Sequence, residues 1–555
     1  MSLPGVAVIA LKRTMSTVTL TIDGKQVTVD QGTTIMKAAE KVGIHIPRFC
    51  FHPGLSVAGN CRICLVEIEK MPKLVTSCST IASQGMVVYS DNENVRRARR
   101  GVLELMLSNH PLDCPTCDQA GECSLQDTYM EIGLHKSRFG FDKHHKAKAV
   151  KLPPHLVLDA ERCILCSRCV RFCKEITQTN EFTIGWRGNH AEIGTFEHRT
   201  LENGYVGNLH QICPVGALTS LDFRFKCRVW SVKEHPSVCP SCSTGCNIII
   251  DQKGGKVYRL RARENQAVNR YWLCDVGRYN YPFINAEDRL LEPRVKIRER
   301  MRQVAWDKAL EVVHAQLKEV AGGGSKVAGI ATAQLTNEEM FLFRKYLTEV
   351  LNSDTLDFRI DRSWEEVDKQ VDQLLRRGDP NPNTRGAEAI GLRGDQQVQE
   401  ILQAAADGEI GALYIVGADR LAAAGLSDAV KAARDSVEYM VMHASRHCDI
   451  LDLADAVLPS GTFAEKEGTF TNYEGRVQKI SKAIPSVGNS KADFEIFAGL
   501  LSKAGKTEFA SVPAKAFNLM AAEVQAFAGL IYEELPAEGA LIAPGALIAP
   551  GGRNE

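Results

Sequence analysis

The chain has 555 residues, 44% of them hydrophobic and 24% charged, and its 67 Lys and Arg balance 67 Asp and Glu. That length is too great for one core and predicts about four domains at roughly 150 residues each. The absence of net charge argues against a nucleic-acid partner, which calls for a basic face, and no apolar run approaches the roughly 20 residues that cross a bilayer as a helix.

The first 15 residues place their positive charges, Lys12 and Arg13, after a short apolar stretch, the reverse of a secretory signal. They are expected to form a disordered extension, with Met15 an alternative start. VTLTIDGKQVTV, from Val18 to Val29, alternates apolar and polar residues about Asp23-Gly24 and predicts a hairpin. Thr33 or Thr34 caps a short helix, TIMKAAEKVG, that ends at Gly43. Hairpin, helix and then a cysteine loop is the order of a plant-type ferredoxin's β-grasp fold.

From Glu93 the periodicity is helical, with Val95, Val102, Leu103, Leu105, Met106 and Leu107 on one face and the Arg-Arg-Ala-Arg-Arg run on the other. A basic linker, His144 to Lys151, leads into a compact cysteine-rich unit ending near Leu221. CNIIIDQKGGKVYRL predicts a second hairpin, turning at Gly254-Gly255. After Pro293 strands and helices alternate: WDKALEVVHAQLKEV is helical, KVAGIATAQLTNEEMFLFRKYLTEVL reads strand, loop, helix, and ALYIVGAD and EYMVMHA read as buried parallel strands of an α/β domain. Residues 513 to 533 are expected to be helical. The duplicated GALIAP hexapeptide near the end is expected to be an extended tail whose apolar residues dock on a neighbour.

The chain has 18 cysteines, and 17 of them lie between Cys50 and Cys274. Such crowding in a long chain without a signal peptide suits metal ligands better than disulfides. They form four sets. Cys50, Cys61, Cys64 and Cys78 (C-x10-C-x2-C-x13-C) share a C-x2-C pair with [2Fe–2S] ferredoxins, whereas a zinc ribbon shows two such pairs. His110, Cys114, Cys117 and Cys123, in HPLDCPTCDQAGEC, suit zinc as well as iron–sulfur, and this segment taken alone leaves both open. Cys163, Cys166 and Cys169 with the remote Cys213-Pro214 follow the bacterial [4Fe–4S] pattern, which leaves Cys173 as a spare thiol. Cys239, Cys242, Cys246 and the distant Cys274 suit another [4Fe–4S] cluster. Cys227 and Cys448 have no partner at motif spacing and read as buried free thiols.

In this order the four sets, together with ADAVLPSGTFAEKEGTFTNYEGRVQ, resemble the G subunit of bacterial NADH-quinone oxidoreductase, respiratory complex I, over residues 16 to 505. The resemblance implies one [2Fe–2S] cluster on Cys50, Cys61, Cys64 and Cys78. It implies three [4Fe–4S] clusters: on His110, Cys114, Cys117 and Cys123; on Cys163, Cys166, Cys169 and Cys213; and on Cys239, Cys242, Cys246 and Cys274, the last off the main electron path. The implied fold is α/β and α+β multidomain: an N-terminal extension (1–15), a β-grasp ferredoxin domain (16–92), a segment with one histidine and three cysteine ligands (93–150), a bacterial-ferredoxin-like domain (151–225), a cluster domain of molybdenum and tungsten enzyme type (226–290), a degenerate, shortened molybdopterin-oxidoreductase-like α/β domain (291–505), and a C-terminal helix and tail (506–555).

The implied role is an electron-relay subunit with no catalytic residues and no NADH or quinone site of its own. Its expected partners are the flavin subunit that binds NADH and the other iron–sulfur subunits of the peripheral arm, on the cytoplasmic face of the bacterial inner membrane. IVGADRLAAAG follows a strand but lacks the G-x-G-x-x-G fingerprint of a dinucleotide site. No cysteine lies between Cys274 and Cys448 to ligate molybdenum, so no functional molybdopterin is expected. The competing readings are the iron–sulfur subunit of an NAD-linked hydrogenase, a formate dehydrogenase, and a structural zinc protein.

Overall fold

The computed structural model describes residues 16–134, 136–196, 199–359, 369–392, 396–507 and 512–543. The expected N-terminal extension and the second GALIAP copy lie outside them. The chain divides into two compact units between Trp230 and Ser231.

The first unit opens with strands β1 (Thr17–Ile22) and β2 (Lys25–Asp30), joined at Asp23 and Gly24, which both take positive φ as a tight two-residue hairpin requires. Helix α1 (Ile35–Lys41) is capped by Thr34, whose hydroxyl accepts the Lys37 amide. With β3 (Leu65–Ile68), β4 (Val75–Thr76) and β5 (Val87–Tyr89) the hairpin forms a sheet of order β2-β1-β5-β3-β4, in which β1 and β5 run parallel. Leu20, Ile22, Val29, Ile35, Ala38, Val66 and Val88 fill the space between sheet and helix.

Helix α2 (Glu93–Leu107) departs from its expected amphipathic pattern. Its buried positions are Val95, Arg99 and Leu103, one per turn, while Leu105 is 69% exposed. Arg99 turns inward, and its guanidinium donates to the Leu65 carbonyl of β3 at 2.8 Å. Helix α3 (Ser124–Ile132) follows the second cysteine set.

The predicted basic linker is structured. Lys148 lies 2.7 Å from Glu161 and 3.1 Å from Asp113, and Val150 opens strand β6 (Val150–Leu152), which pairs with β7 (Leu156–Leu158). Helix α4 (Arg168–Glu175), hairpin β8 (Phe182–Gly185) and β9 (Glu192–Thr195), helix α5 (Gly207–Ile212) and strand β10 (Leu218–Ser220), which pairs with β7, complete the unit.

The second unit begins with β11 (Lys233–Val238), β12 (Asn247–Lys253) and β13 (Lys256–Ala262), an antiparallel sheet whose last turn falls at Gly254-Gly255 as expected. Helix α6 (Asp275–Tyr279) follows. The α/β part is a seven-stranded sheet of β14 (Arg294–Ile297), β15 (Arg300–Gln303), β16 (Val327–Ile330), β17 (Leu356–Asp357), β18 (Ala412–Val416), β19 (Tyr439–Ala444) and β20 (Ala456–Pro459). Its order is β15-β14-β20-β19-β18-β16-β17, and β16 through β20 run parallel. These parallel strands are buried throughout, which is why their sequences read as continuous apolar runs. Helix α7 (Trp306–Gly322) packs on the sheet, and α8 (Asn337–Lys345) starts from a capping box between Thr336 and Glu339.

β21 (Gly468–Thr471) and β22 (Arg476–Ile480) form a further hairpin. The helix beginning at Pro513 stops at Glu523, short of the expected 533. The first GALIAP copy docks on its own unit: β23 (Ala540–Leu541) pairs with Arg476 and Val477, and Ile542 is buried. Ile542 therefore packs on this chain, while Leu541 stays 54% exposed.

Glu338, fully buried on α8, accepts from the amide and hydroxyl of Thr469, both at 2.9 Å. Burial pushes its carboxyl up from 4.5 to about 7. A raised acid favours folding in its protonated form, so this contribution is complete below pH 4.5 and lost as pH rises through about 7. The loss reaches about 3 kcal/mol for a shift of this size. Thermal unfolding of the second unit between pH 5 and 8.5 is expected to fall more steeply for the wild type than for Glu338→Gln, and equal slopes would show that Glu338 does not titrate there.

Candidate metal centres

Cys50, Cys61, Cys64 and Cys78 sit on the loops that join α1 to β3 and follow β4, and all four are buried. Their thiols associate in two pairs. Cys61 donates its S–H to Cys50, and Cys78 donates to Cys64, so the accepting thiols of Cys50 and Cys64 are pushed down, while the shared proton and burial push Cys61 and Cys78 up. The Cys50 amide also points at Cys61 Sγ, at 3.4 Å. Two thiols on each of two points is the ligand division of a two-iron centre.

The second set lies between α2 and α3. Cys117 and Cys123 are buried and Cys114 is exposed. His110 Nδ1 is a buried nitrogen without a hydrogen-bond partner among the described residues. Burial lowers its imidazole to about 4, opposed by Asp113 and aided by Arg162. A neutral ring with an unsatisfied buried nitrogen is what a metal ligand requires.

Cys163, Cys166, Cys169 and Cys213 line one cavity with Val215, Ala217 and Leu218, and burial raises all four thiols, to about 12 for Cys163 and about 11 for Cys166. Leu165 and Ser167 take positive φ, turning the loop so that the Leu165 amide meets Cys163 Sγ at 3.4 Å. Amides of Val215, Leu218 and Ala217 point at Cys213. Cys173 does not line this cavity: its thiol is engaged by the Phe182 amide and the Thr177 hydroxyl.

In the second unit, Cys239, Cys242 and Cys246 precede β12 and Cys274 caps α6. The thiols of Cys239 and Cys274 both face Gly277, where a Cβ would lie 2.8 Å and 3.6 Å from them, and the Gly277 amide donates toward Cys274 at 3.4 Å. Burial pushes Cys239 up to about 12 and Cys274 to about 11. Cys448 is half-buried against the apolar cluster behind the large sheet.

Thiols raised by burial yet met by backbone N–H groups are arranged for sulfur that carries negative charge once a positive centre arrives. Among the described residues no three His, Cys, Asp or Glu side chains converge tightly enough to hold a single ion.

Several residues that build these sites carried no sequence signal of their own. Arg168 donates to the carbonyls of Ile212 at 2.9 Å and Phe51 at 2.7 Å. Arg171 donates to the carbonyls of Ser56, Cys50 and Cys166. Both therefore tie the first loop to the third. Arg162 spans the other junction, bonding Asp113 at 2.7 Å immediately before Cys163. Gly216 lies against the second set, where a Cβ would come 2.2 Å from Cys117 Sγ. Its place three residues after Cys213 in a Cys-Pro-x-Gly run is the signal that could have singled it out.

Family models match along the chain: a 2Fe-2S iron-sulfur cluster binding domain (15–93), an NADH-ubiquinone oxidoreductase-G iron-sulfur binding region (99–138) and the ferredoxin-like domain of NADH-quinone oxidoreductase subunit 3 (153–219). The second unit matches a molybdopterin oxidoreductase Fe4S4 domain (232–286) and molybdopterin oxidoreductase (289–373 and 378–503). The chain is 40% identical over 365 residues to the G subunit of NADH-quinone oxidoreductase from Streptomyces coelicolor, a match covering 65% of this chain and 43% of that protein. The mitochondrial NADH-ubiquinone oxidoreductase 78 kDa subunit of Candida albicans is 30% identical across an alignment of 600 positions, covering 88% of this chain and 83% of the relative. The chain thus spans less than half the length of the Streptomyces relative and most of the Candida one. A solved NAD+-reducing [NiFe]-hydrogenase chain is 31% identical over 38% of this chain and 91% of its own, with a TM-score of 0.35.

Gly216→Ala places a methyl on Cys117 Sγ and is expected to lower iron by about one four-iron set per chain, measured by iron and sulfide analysis; full iron content would show that Cys117 is free to move. His110→Cys is expected to retain its centre at a more negative potential, because a thiolate adds negative charge. An unchanged EPR midpoint would count against His110 as a ligand.

Proposed function

The chain belongs to the family formed by the G subunit of NADH-quinone oxidoreductase and its mitochondrial 78 kDa counterpart, and on that premise we propose that it is an iron–sulfur electron relay in a respiratory NADH dehydrogenase. The assigned centres are one [2Fe–2S] cluster on Cys50, Cys61, Cys64 and Cys78, and [4Fe–4S] clusters on His110, Cys114, Cys117 and Cys123, on Cys163, Cys166, Cys169 and Cys213, and on Cys239, Cys242, Cys246 and Cys274. Bound there, such clusters supply one-electron carriers with potentials from about −700 to +450 mV.

One observation carries the reading: the third set shares walls with both the first and the second. Arg168 and Arg171 bond the first loop from the third, and Asn60 Nδ2 donates to the Leu165 carbonyl at 3.3 Å. Gly216, Arg162 and the Ser124 amide, which donates to the Pro214 carbonyl at 3.1 Å, join the third set to the second. Ligand loops of all three sets enter one apolar cluster that includes Phe49, Ile63, Leu103, Leu125 and Val215. A route from first to third to second set follows, shielded from water by these side chains. The fourth set lies in the other unit and is assigned a place off this route.

The chain's own residues bind and orient, and no catalytic residue is assigned. NADH is taken to be oxidised on a flavin-bearing partner and quinone reduced beyond other peripheral-arm iron–sulfur subunits, at the cytoplasmic face of the bacterial inner membrane. Among the described residues no helix is long and apolar enough to cross a membrane. The domain boundaries proposed are those read from the sequence: 16–92, 93–150, 151–225, 226–290, 291–505 and 506–555.

Anaerobically purified chain is expected to contain about 14 iron atoms with acid-labile sulfide and to co-purify with a flavin-bearing NADH dehydrogenase subunit. Zinc in place of iron would end the relay reading. Co-purification with a hydrogenase subunit would redirect it.

A further inference from the structure

Helix α4 carries two arginines, one turn apart, between the first and third cysteine sets. Arg171 is 9% exposed. Its Nε donates to Ser167 Oγ at 3.1 Å, one Nη to the Ser56 carbonyl, and the other to the carbonyls of Cys50 and, at 3.4 Å, Cys166. Arg168 donates to the Ile212 and Phe51 carbonyls, and its Nε is buried without a partner among the described residues. Among the described residues every hydrogen bond of these two guanidiniums thus ends on a carbonyl or hydroxyl oxygen.

The acid on the same helix, Glu175, spends both oxygens on Ser56, accepting its amide at 2.8 Å and its hydroxyl at 2.5 Å. This arrangement contrasts with Arg162 at the other junction, which is bonded by the Asp113 carboxylate. A buried guanidinium without a carboxylate is costly unless negative charge arrives from elsewhere. The groups in electrostatic reach of Arg168 include Cys166, Cys213 and Cys50, thiols of both sets, beside the like-charged Arg171, and both arginines also act on His52. Arg171 acts on Cys50 and Cys166.

We propose that Arg168 and Arg171 are shared counter-cations of the first and third clusters, placed to stabilise the extra electron on either one and to hold the two ligand loops adjacent. The proposal rests on the relay reading above. Two features of the geometry carry it. The fork of Arg171 joins the main chain of a first-set ligand to that of a third-set ligand, so one side chain fixes both loops. The charge it brings is left for the clusters, because its hydrogen bonds are made to neutral oxygens. An electron added to either centre increases negative charge beside the same two cations, so both potentials are held up together. Neither arginine touches a reacting atom; they are positioning residues.

The test is EPR-monitored potentiometry on the full chain, purified anaerobically, comparing wild type with Arg171→Gln, Arg168→Gln and Arg171→Lys. Both glutamine variants are expected to shift the first and third centres to more negative potential and to leave the fourth, in the other unit, unchanged. Arg171→Lys, which keeps the charge but loses the fork, is expected to stay near the wild-type potentials. Unmoved first and third midpoints at full iron content, or an equal shift of the fourth, would overturn the proposal. If the glutamine variants lose both clusters, retention of both by Arg171→Lys supports it, and their loss there as well overturns it by assigning the arginine to folding alone. A wild-type chain without iron would instead sink the relay reading itself.

Discussion

Burying negative sulfur is the constraint around which the first unit is organised. Each ligand loop lies at or near an apolar cluster in which a bare thiolate would be expensive, and burial accordingly pushes the Cys163, Cys166 and Cys123 thiols up. Three kinds of group answer it. Backbone amides turn toward the sulfurs, as at Cys163 and Cys213; cations stand behind the loops, as with Arg162, Arg168 and Arg171; and beside the second set burial keeps the His110 imidazole neutral, its Nδ1 without a partner among the described residues.

The secondary structure serves those groups. Positive φ at Arg62, Leu165 and Ser167 bends the loops so that successive amides face inward, a conformation ordinarily left to glycine. Helix α4 starts within the C-x2-C-x2-C run and carries its last cysteine, Cys169, so its first turns present Arg168 and Arg171 to the preceding loop and to the first set together. The apolar residues around the thiols, among them Phe49, Leu103 and Val215, exclude water, and low local polarity makes the few remaining charges act strongly.

The four cysteine sets were legible because each is built on a local C-x2-C pair, a pattern that survives without knowledge of tertiary contacts. The β-grasp hairpin, the Gly254-Gly255 turn and the parallel strands were legible for the same reason, since turn chemistry and apolar periodicity are short-range. What stayed hidden depends on partners distant in sequence. Arg99 reads as solvated until the Leu65 carbonyl is placed beneath it. Residues 144 to 151 read as a linker until Glu161 and Asp113 are brought to Lys148. Ala540 and Leu541 read as a tail until β22 offers an edge. Arg171 belongs to this class as well, because its meaning lies in Cys50, 121 positions away.

The second unit applies the same economy of charge differently. Its parallel strands run in the order 2-1-3-4-5, and the crevice at their C-terminal ends, next to Thr332, Gly417, Ser445 and Ser460, is where open α/β sheets usually receive ligands. Here Lys466, Glu339, Asp493 and His443 are committed to one another, whereas Arg420 lies over the Phe283 ring, 5.8 Å from its centroid, and Asp419 accepts from the Ser445 hydroxyl. Lys466 lies 2.6 Å from Glu339 and 3.6 Å from Asp493, and Asp493 in turn holds His443 at 2.8 Å, whose other nitrogen meets the Tyr414 hydroxyl at 2.9 Å. A cation already paired twice is poorly placed to receive a phosphate. The same unit invests heavily in its cysteine loop: Gln478 Nε2 donates to the Gly245 carbonyl at 3.0 Å, Asn472 Nδ2 donates to the Thr244 carbonyl at 3.2 Å, and Asn247 Nδ2 donates to Gln478 Oε1 at 2.5 Å. These bonds tie the hairpin of β21 and β22 to the fourth set.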